Sequence, residues 1–182
     1  MKHSALLVIA LILLSGCGPS SDAPQSSAAM PATTDGEARL PLPEYFDCLR
    51  ENGGVVIAAH RGGPADGYPE NAIETMQYNF DHGVRIFEID IAETRDGVLT
   101  LMHDDRLNRT TTGRGYVSDI SWEDLSSLTL VDNSGQRTRY APPKLTDALI
   151  WARNTGAILE LDRKKTTSFA NIAEAVYAAG AE

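Results

Sequence analysis

Two histidines and two closely spaced carboxylates form the part of this sequence that could do chemistry. His60 and His103 lie on either side of Glu88 and Asp90 in a chain of 182 residues. Imidazole groups exchange protons near neutral pH and are the commonest general acids and bases. Carboxylate oxygens are the ligands that hard divalent cations prefer. These residue types in this order predict metal-assisted acid and base chemistry on an anionic substrate.

The two carboxylates lie on a predicted strand. Residues 84–91 alternate in the pattern of a strand, which places Glu88 and Asp90 on the same face. Two neighbouring carboxylates on a buried face repel each other and lose hydration unless a cation lies between them. We therefore expect a divalent cation at this position, and oxygen ligands suit both Mg²⁺ and Ca²⁺.

Short apolar segments precede both histidines. Residues 55–59 predict a strand that is buried on both faces and has His60 at its carboxyl end. Residues 98–102 predict a further strand that ends at His103. A fourth strand is predicted at residues 157–162.

Helices are predicted around these strands, at residues 44–52, 72–82, 121–128, 145–154 and 169–179. Asn71 is expected to cap the second of them, with Glu74 completing a capping box. Strands that alternate with helices predict a parallel sheet with helices packed outside it. Functional residues of such folds lie at the carboxyl ends of the strands, where both histidines are predicted.

Residues 1–40 differ in composition from the rest of the chain. They have a short basic start, Met1-Lys2-His3, then an apolar run at 5–14 and Leu14-Ser15-Gly16-Cys17, a pattern that resembles a bacterial lipoprotein signal peptide. The apolar run is too short to cross a bilayer core of about 30 Å. We therefore expect removal of residues 1–16, lipidation of Cys17, and anchoring in the cell envelope at the periplasmic side of a membrane or at the extracellular face.

The composition of the chain after residue 16 indicates a tether and then a folded domain. Residues 17–40 are rich in Ser, Ala, Pro and Thr and predict a disordered tether, and residues 41–182 predict the domain. If Cys17 carries lipid, Cys48 has no partner for an intramolecular disulfide, and we expect it to be a small packed residue. The formal net charge of -9, with scattered basic residues, argues against binding to nucleic acid.

Five short motifs occur in an order that is typical of one enzyme family. They are His60-Arg61-Gly62, Pro69-Glu70-Asn71, Glu88-x-Asp90, His103-Asp104 leading into Arg109-Thr110-Thr111-Thr112-Gly113, and Pro143-x-Leu145. Their order and spacing resemble the glycerophosphodiester phosphodiesterase family, whose α/β fold is a (β/α)8 TIM barrel of the phosphatidylinositol-phospholipase-C-like type. The resemblance implies metal-dependent hydrolysis of small-molecule glycerophosphodiesters to glycerol phosphate and an alcohol. A related phospholipase that acts on lipid headgroups is an alternative.

The resemblance also implies roles for individual residues. It makes His60 and His103 the acid and base pair, without saying which is which. It makes Arg61 a phosphate-binding residue. It makes Glu88 and Asp90 ligands of a divalent cation, Mg²⁺ or Ca²⁺.

A third metal ligand is expected on the fourth strand, where the family has Glu-x-Lys. The strand here contains Glu160, Asp162 and Lys164. Asp162-x-Lys164 keeps the charge pattern with a shorter carboxylate, so we favour Asp162 as the metal ligand and Lys164 as a phosphate-binding residue. The alternative, Glu160 as the ligand, places Asp162 where the lysine is needed.

The length of the chain fits only part of such a barrel. Residues 55–182 number 128, whereas a (β/α)8 barrel needs about 200 to 250 residues. With four predicted strands, we expect about the first half of the barrel, with an open edge and weak or no activity of the chain alone. A non-catalytic partial-barrel lipoprotein that serves as a binding or structural module is the alternative.

Overall fold

The computed structural model describes residues 41–165 and 167–182. The predicted signal peptide, the predicted tether and the predicted lipidation site at Cys17 lie outside the described residues. The chain divides into two compact units, with the boundary between Val56 and Ile57. The described part of the first unit contains helix α1 (Leu42–Glu51), which has Pro43 in its first turn and no buried residue. The predicted helix at residues 44–52 is therefore confirmed.

Cys48 lies half-buried on α1 and is disulfide-bonded. The expectation of a small packed thiol without a disulfide partner is therefore wrong.

The second unit is built on one sheet of four strands, which are β1 (Ala58–Ala59), β2 (Ile86–Glu93), β3 (Leu99–Leu101) and β4 (Ile158–Arg163). β2 is the central strand and pairs with each of the others. β1 and β4 run parallel to β2, as predicted.

β3 runs antiparallel to β2, contrary to the parallel arrangement expected from the sequence. Only residues 94–98 connect the two strands. A link this short forms a hairpin, because a parallel crossover needs about a dozen residues or more. Among the described residues, three of the four strands are therefore parallel.

β1 and β3 lie one after the other along the same edge of β2. β1 pairs with Ile86 and Phe87, whereas β3 pairs with β2 from Ile91 onward. β4 pairs along the opposite edge from Ile86 to Ile91. The chain segments that follow β1 and β3 therefore meet beside the stretch of β2 that contains Glu88 and Asp90.

β1 is shorter and more exposed than the sequence predicts. It has two residues instead of five, and Val55 and Ile57 are 85% and 68% exposed. Among the described residues β1 pairs with β2 alone, so its other edge lacks the neighbour that would bury an apolar strand. The prediction of a strand buried on both faces is therefore wrong.

The remaining helices are α2 (Ile73–Asp81), α3 (Trp122–Ser126), α4 (Leu145–Thr155) and α5 (Phe169–Ala179). Each lies within two residues of its predicted bounds. Ser121 caps α3 by accepting a hydrogen bond from the Asp124 N–H, and α4 and α5 end at Gly156 and Gly180 in the left-handed conformation. Across residues 41–165 and 167–182, no helix combines the length and apolar character needed to span a bilayer.

One face of β2 forms the centre of the main hydrophobic core. Phe87, Ile89 and Ile91 are fully buried in one cluster with Leu145 and Leu149 of α4. Burial of each such side chain stabilises the fold by roughly 1.5–3 kcal/mol. The alternation predicted for residues 84–91 is confirmed, and the opposite face of β2 presents the two carboxylates.

Candidate active site

Three carboxylates converge on the face of the parallel strands that lies opposite the main hydrophobic core. β2 supplies Glu88 and Asp90, and Asp162 lies opposite Asp90 in the register with β4. One oxygen of each lies within 4.8 Å of the others, and the side chain of Asp90 is 1% exposed. Three hard oxygen ligands at this spacing fit Mg²⁺ or Ca²⁺. Glu160 lies opposite Glu88 and is exposed outside this group, so the geometry favours Asp162.

Lys164 lies beside two of these carboxylates. Its Nζ is 2.5 Å from an Asp90 oxygen and donates to Asp162 Oδ2 at 2.8 Å. This hydrogen bond lowers the pKa of Asp162. Burial alone would lower the pKa of Lys164, but the bonds to Asp162 and Asp90 outweigh burial and raise it. Lys164 is therefore charged at neutral pH and lies where an anionic phosphate could also bind.

Arg61 follows His60 in a strained turn at the end of β1. Its backbone is left-handed, with φ 54° and ψ 33°, a conformation that costs a non-glycine residue about 1–2 kcal/mol. The Arg61 N–H donates to Glu88 Oε2 at 2.8 Å, and the Arg61 carbonyl accepts from the Asn71 N–H at 2.9 Å. These bonds hold the strained turn over the carboxylates.

Asn71 is a positioning residue of the site and not a helix cap. Its Nδ2 donates to Asp90 Oδ2 at 2.8 Å, and its Oδ1 accepts from the Asp90 N–H at 3.0 Å. The N-cap of α2 is Ala72, without a side-chain hydrogen bond. The predicted capping box with Glu74 is therefore wrong, because Asn71 has a left-handed backbone (φ 57°) and its side chain points to β2 instead.

The two histidines lie at the ends of the segments that meet beside β2. His60 is 73% exposed, with Nε2 3.9 Å from Glu88 Oε2. His103 is 35% exposed, and its Nδ1 lies 2.7 Å from Asp104 Oδ1. The His60 imidazole therefore borders the carboxylate group, whereas the His103 imidazole is bonded to Asp104.

Three further charged residues connect the site, and the sequence analysis assigned them no role. Arg109 bonds to Asp104 on one side and to the buried carboxylate of Glu70 on the other. Glu70 also accepts from Arg61. Glu70, Asp104 and Arg109 all belong to the recognised motifs, so their charge was visible in the sequence. Their partners were not, because the paired residues are up to 39 positions apart.

Known proteins resemble this arrangement over most of the second unit. The model of the glycerophosphoryl diester phosphodiesterase family matches residues 60–175. Human glycerophosphodiester phosphodiesterase 1 is 33% identical over 106 residues, which cover 58% of this chain and 32% of that protein.

Two solved structures share both the fold and part of the sequence. A glycerophosphoryl diester phosphodiesterase from Parabacteroides distasonis superimposes with a TM-score of 0.65 at 42% identity, covering 70% of this chain and 44% of that chain. An Oleispira antarctica phosphodiesterase, solved in complex with the product sn-glycerol-3-phosphate, has a TM-score of 0.52 at 27% identity, covering 69% and 50%.

The chain spans between a third and a half of the length of these relatives. Its three parallel strands and outer helices form part of the family's TIM barrel, as the predicted fold class requires. The family match extends over more than half of the chain and includes every charged residue described above. The chain therefore belongs to the glycerophosphoryl diester phosphodiesterase family.

Proposed function

We propose that this chain supplies the reacting groups for hydrolysis of glycerophosphodiesters to glycerol phosphate and an alcohol. The observation that supports this proposal best is the group of Glu88, Asp90 and Asp162, whose oxygens lie within 4.8 Å of one another. Two cationic side chains, of Arg61 and Lys164, contact the same carboxylates. The names of the relatives and the product bound to the Oleispira antarctica enzyme agree with this substrate class.

Each charged group has a role in the proposed reaction. Glu88, Asp90 and Asp162 would hold a divalent cation, Mg²⁺ or Ca²⁺, which when bound offsets the charge of the phosphodiester. Arg61 and Lys164 bind the phosphate oxygens, since both are positively charged and border the carboxylates.

His60 and His103 transfer the protons. One imidazole takes the proton of the glycerol hydroxyl, which attacks phosphorus, and the other gives a proton to the leaving alcohol. Water then opens the cyclic phosphate by the same proton transfers in reverse. Because Nδ1 of His103 is bonded to Asp104, Nε2 is the nitrogen of His103 that exchanges the proton.

The proposal is tested on the longest reading frame that contains this chain. Glycerophosphocholine and glycerophosphoethanolamine are supplied with saturating Mg²⁺ or Ca²⁺, and release of glycerol 3-phosphate is measured. We expect hydrolysis that a chelator abolishes. Absence of hydrolysis with either cation would refute the proposal, and cleavage of intact phospholipid instead would identify the related phospholipase activity.

The same experiment includes the 182-residue chain alone. Part of a barrel leaves strand edges unpaired and site residues less firmly packed, so we expect activity at least about 100-fold lower than in the longer frame. Full activity of a monomeric 182-residue chain would show that these four strands hold the active site without the other strands of a complete barrel.

We also propose that Cys17 anchors the protein by a lipid in the cell envelope, on the basis of the sequence pattern at residues 1–17. Labelled fatty acid on a Cys17→Ser variant would refute the anchor.

A further inference from the structure

We propose that Glu70 is a positioning residue that holds Arg61 directly and holds His103 through Arg109 and Asp104. This inference rests on the proposed function, because it assigns phosphate binding to Arg61 and proton transfer to His103. It goes beyond that function by joining the two groups through one buried carboxylate, whose described side-chain bonds are to Arg61 and Arg109 and not to the three carboxylates.

The carboxylate of Glu70 lies between two guanidinium groups. Its side chain is 3% exposed. Arg109 donates from Nη1 to Oε2 at 2.7 Å and from Nη2 to Oε1 at 2.9 Å, whereas Arg61 donates from Nη1 to both oxygens at 3.2 Å. Burial alone would raise the pKa of Glu70, but the bonds and charge of Arg109 and then of Arg61 outweigh it and lower the pKa. Glu70 is therefore ionised, and its carboxylate accepts hydrogen bonds from both Arg109 and Arg61.

On the other side of Arg109, the same guanidinium holds Asp104. Arg109 donates from Nε and Nη2 to the two oxygens of Asp104, both at 2.8 Å. Hydrogen bonds from Arg109 and from His103 keep the pKa of Asp104 well below its ordinary value. An ionised carboxylate only accepts hydrogen bonds, so Nδ1 of His103 donates at 2.7 Å. This bond fixes the tautomer and leaves the lone pair of Nε2 for the reaction.

On the Arg61 side, Glu70 orients a guanidinium that has an unused donor. Among the described residues, Arg61 Nε is buried and has no hydrogen-bond partner, and it lies 3.9 Å from Asp90 Oδ2. A buried unpaired N–H is costly unless it meets an acceptor at some stage. Glu70 holds the opposite end of the guanidinium and so keeps Nε available to a phosphate oxygen.

The series of ion pairs that runs from Arg61 through Glu70, Arg109 and Asp104 to His103 is called the relay below. Its geometry predicts different kinetic effects at the Arg61 side and at the His103 side. Arg109→Gln breaks the connection to Asp104 and leaves Arg61 bonded to Glu70. We expect kcat to fall about 10- to 100-fold with KM changed less than about threefold. Glu70→Gln removes the charge that both guanidinium groups share, so kcat should fall similarly and KM should rise about tenfold. Arg106→Gln, which removes a guanidinium that contacts Tyr116 outside the relay, should change neither.

A spectroscopic measurement tests the relay independently of catalysis. The ¹⁵N chemical shifts of His103 at pH 8 should show a proton fixed on Nδ1 in the unaltered chain and a mixture of tautomers in Arg109→Gln and Glu70→Gln. Arg109 is 45% exposed, so its replacement should leave the fold intact even if Glu70→Gln unfolds. An unchanged His103 tautomer in the folded Arg109→Gln variant would overturn the inference. Absence of diester hydrolysis with the expected tautomer change would refute only the proposed function.

Discussion

The two histidine-bearing ends of the site are held by different means. At the His60 end the backbone is fixed, because the strained Arg61 bonds to Glu88 through its N–H and to Asn71 through its carbonyl. The imidazole itself is 73% exposed, and its Nε2 lies 3.9 Å from Glu88 Oε2. At the His103 end the imidazole is fixed by ionised side chains and is about half as exposed.

This difference separates two ways of orienting a reactive group. A turn held by hydrogen bonds of its main chain fixes the backbone and leaves the imidazole exposed. A relay of ion pairs fixes the rotamer and the tautomer, but it depends on charges that acid removes. The His60 end should therefore respond most to backbone changes, and the His103 end most to changes of charge.

The largest effect is expected from removal of the imidazoles themselves. His60→Ala and His103→Ala should each lower kcat about 100-fold or more without unfolding the chain, as is usual for general acids and bases. His82→Ala is the control, since His82 bonds to a carbonyl at the end of α2 outside the site. Initial rates of glycerophosphodiester hydrolysis measure the effect, and an unchanged rate in either site variant would remove that histidine from the reaction.

The next effect concerns the backbone of the His60 end. Asn71→Ala removes two hydrogen bonds to Asp90. It also places alanine at φ 57°, a left-handed backbone conformation that is unfavourable for alanine. We expect a loss of about 2 kcal/mol in the free energy of unfolding, measured in urea. Asn71→Gly relieves the strain at this φ and isolates the hydrogen bonds. Equal stability of the Ala variant and the unaltered chain would show that the bonds to Asp90 do not hold the turn.

A smaller effect separates metal binding from the backbone contact at the same residue. Glu88→Gln keeps an oxygen that can accept from the Arg61 N–H but loses the charge that a hard cation prefers. Affinity for Mg²⁺ or Ca²⁺ should fall roughly tenfold in calorimetric titration. Glu160 lies opposite Glu88 in the strand register and is exposed, so Glu160→Gln should change the cation affinity less than about twofold. A larger loss of affinity in Glu160→Gln than in Glu88→Gln would make Glu160 the ligand.

The smallest effect is acid sensitivity, which should be concentrated at the His103 end. The pKa of Asp104 and the pKa of Glu70 are lowered in the folded chain, so their contribution to stability is present above the ordinary carboxyl pKa of about 4. It is lost as the pH falls from about 4 through the lowered folded values. Asp104→Asn should therefore lose about 1 kcal/mol less between pH 7 and pH 3 than the unaltered chain.

Urea unfolding at both pH values measures this difference. Asp147→Asn on α4 provides a control carboxylate outside the relay. An Asp104→Asn variant that loses as much stability in acid as the unaltered chain would place the acid-sensitive groups elsewhere.

Local patterns predicted much of the scaffold. The alternation of residues 84–91 placed Glu88 and Asp90 on one face of β2, and Ser121 marked the start of α3. The antiparallel β3 was missed, although the five residues that connect it to β2 are a hairpin length. The exposed edge of β1 was missed because an apolar sequence does not show how many strands lie beside it.

The sequence by itself determined which residue types are present and which side of each element they occupy. Periodicity and local end signals were enough to predict β2 and the five α-helices of residues 41–165 and 167–182. The tertiary structure alone decided the partners of the charged groups. Asn71 could cap a helix or bond to Asp90, and Glu70 could pair with any nearby cation. Their choice depends on backbone turns and long-range contacts that bring distant segments within about 3 Å.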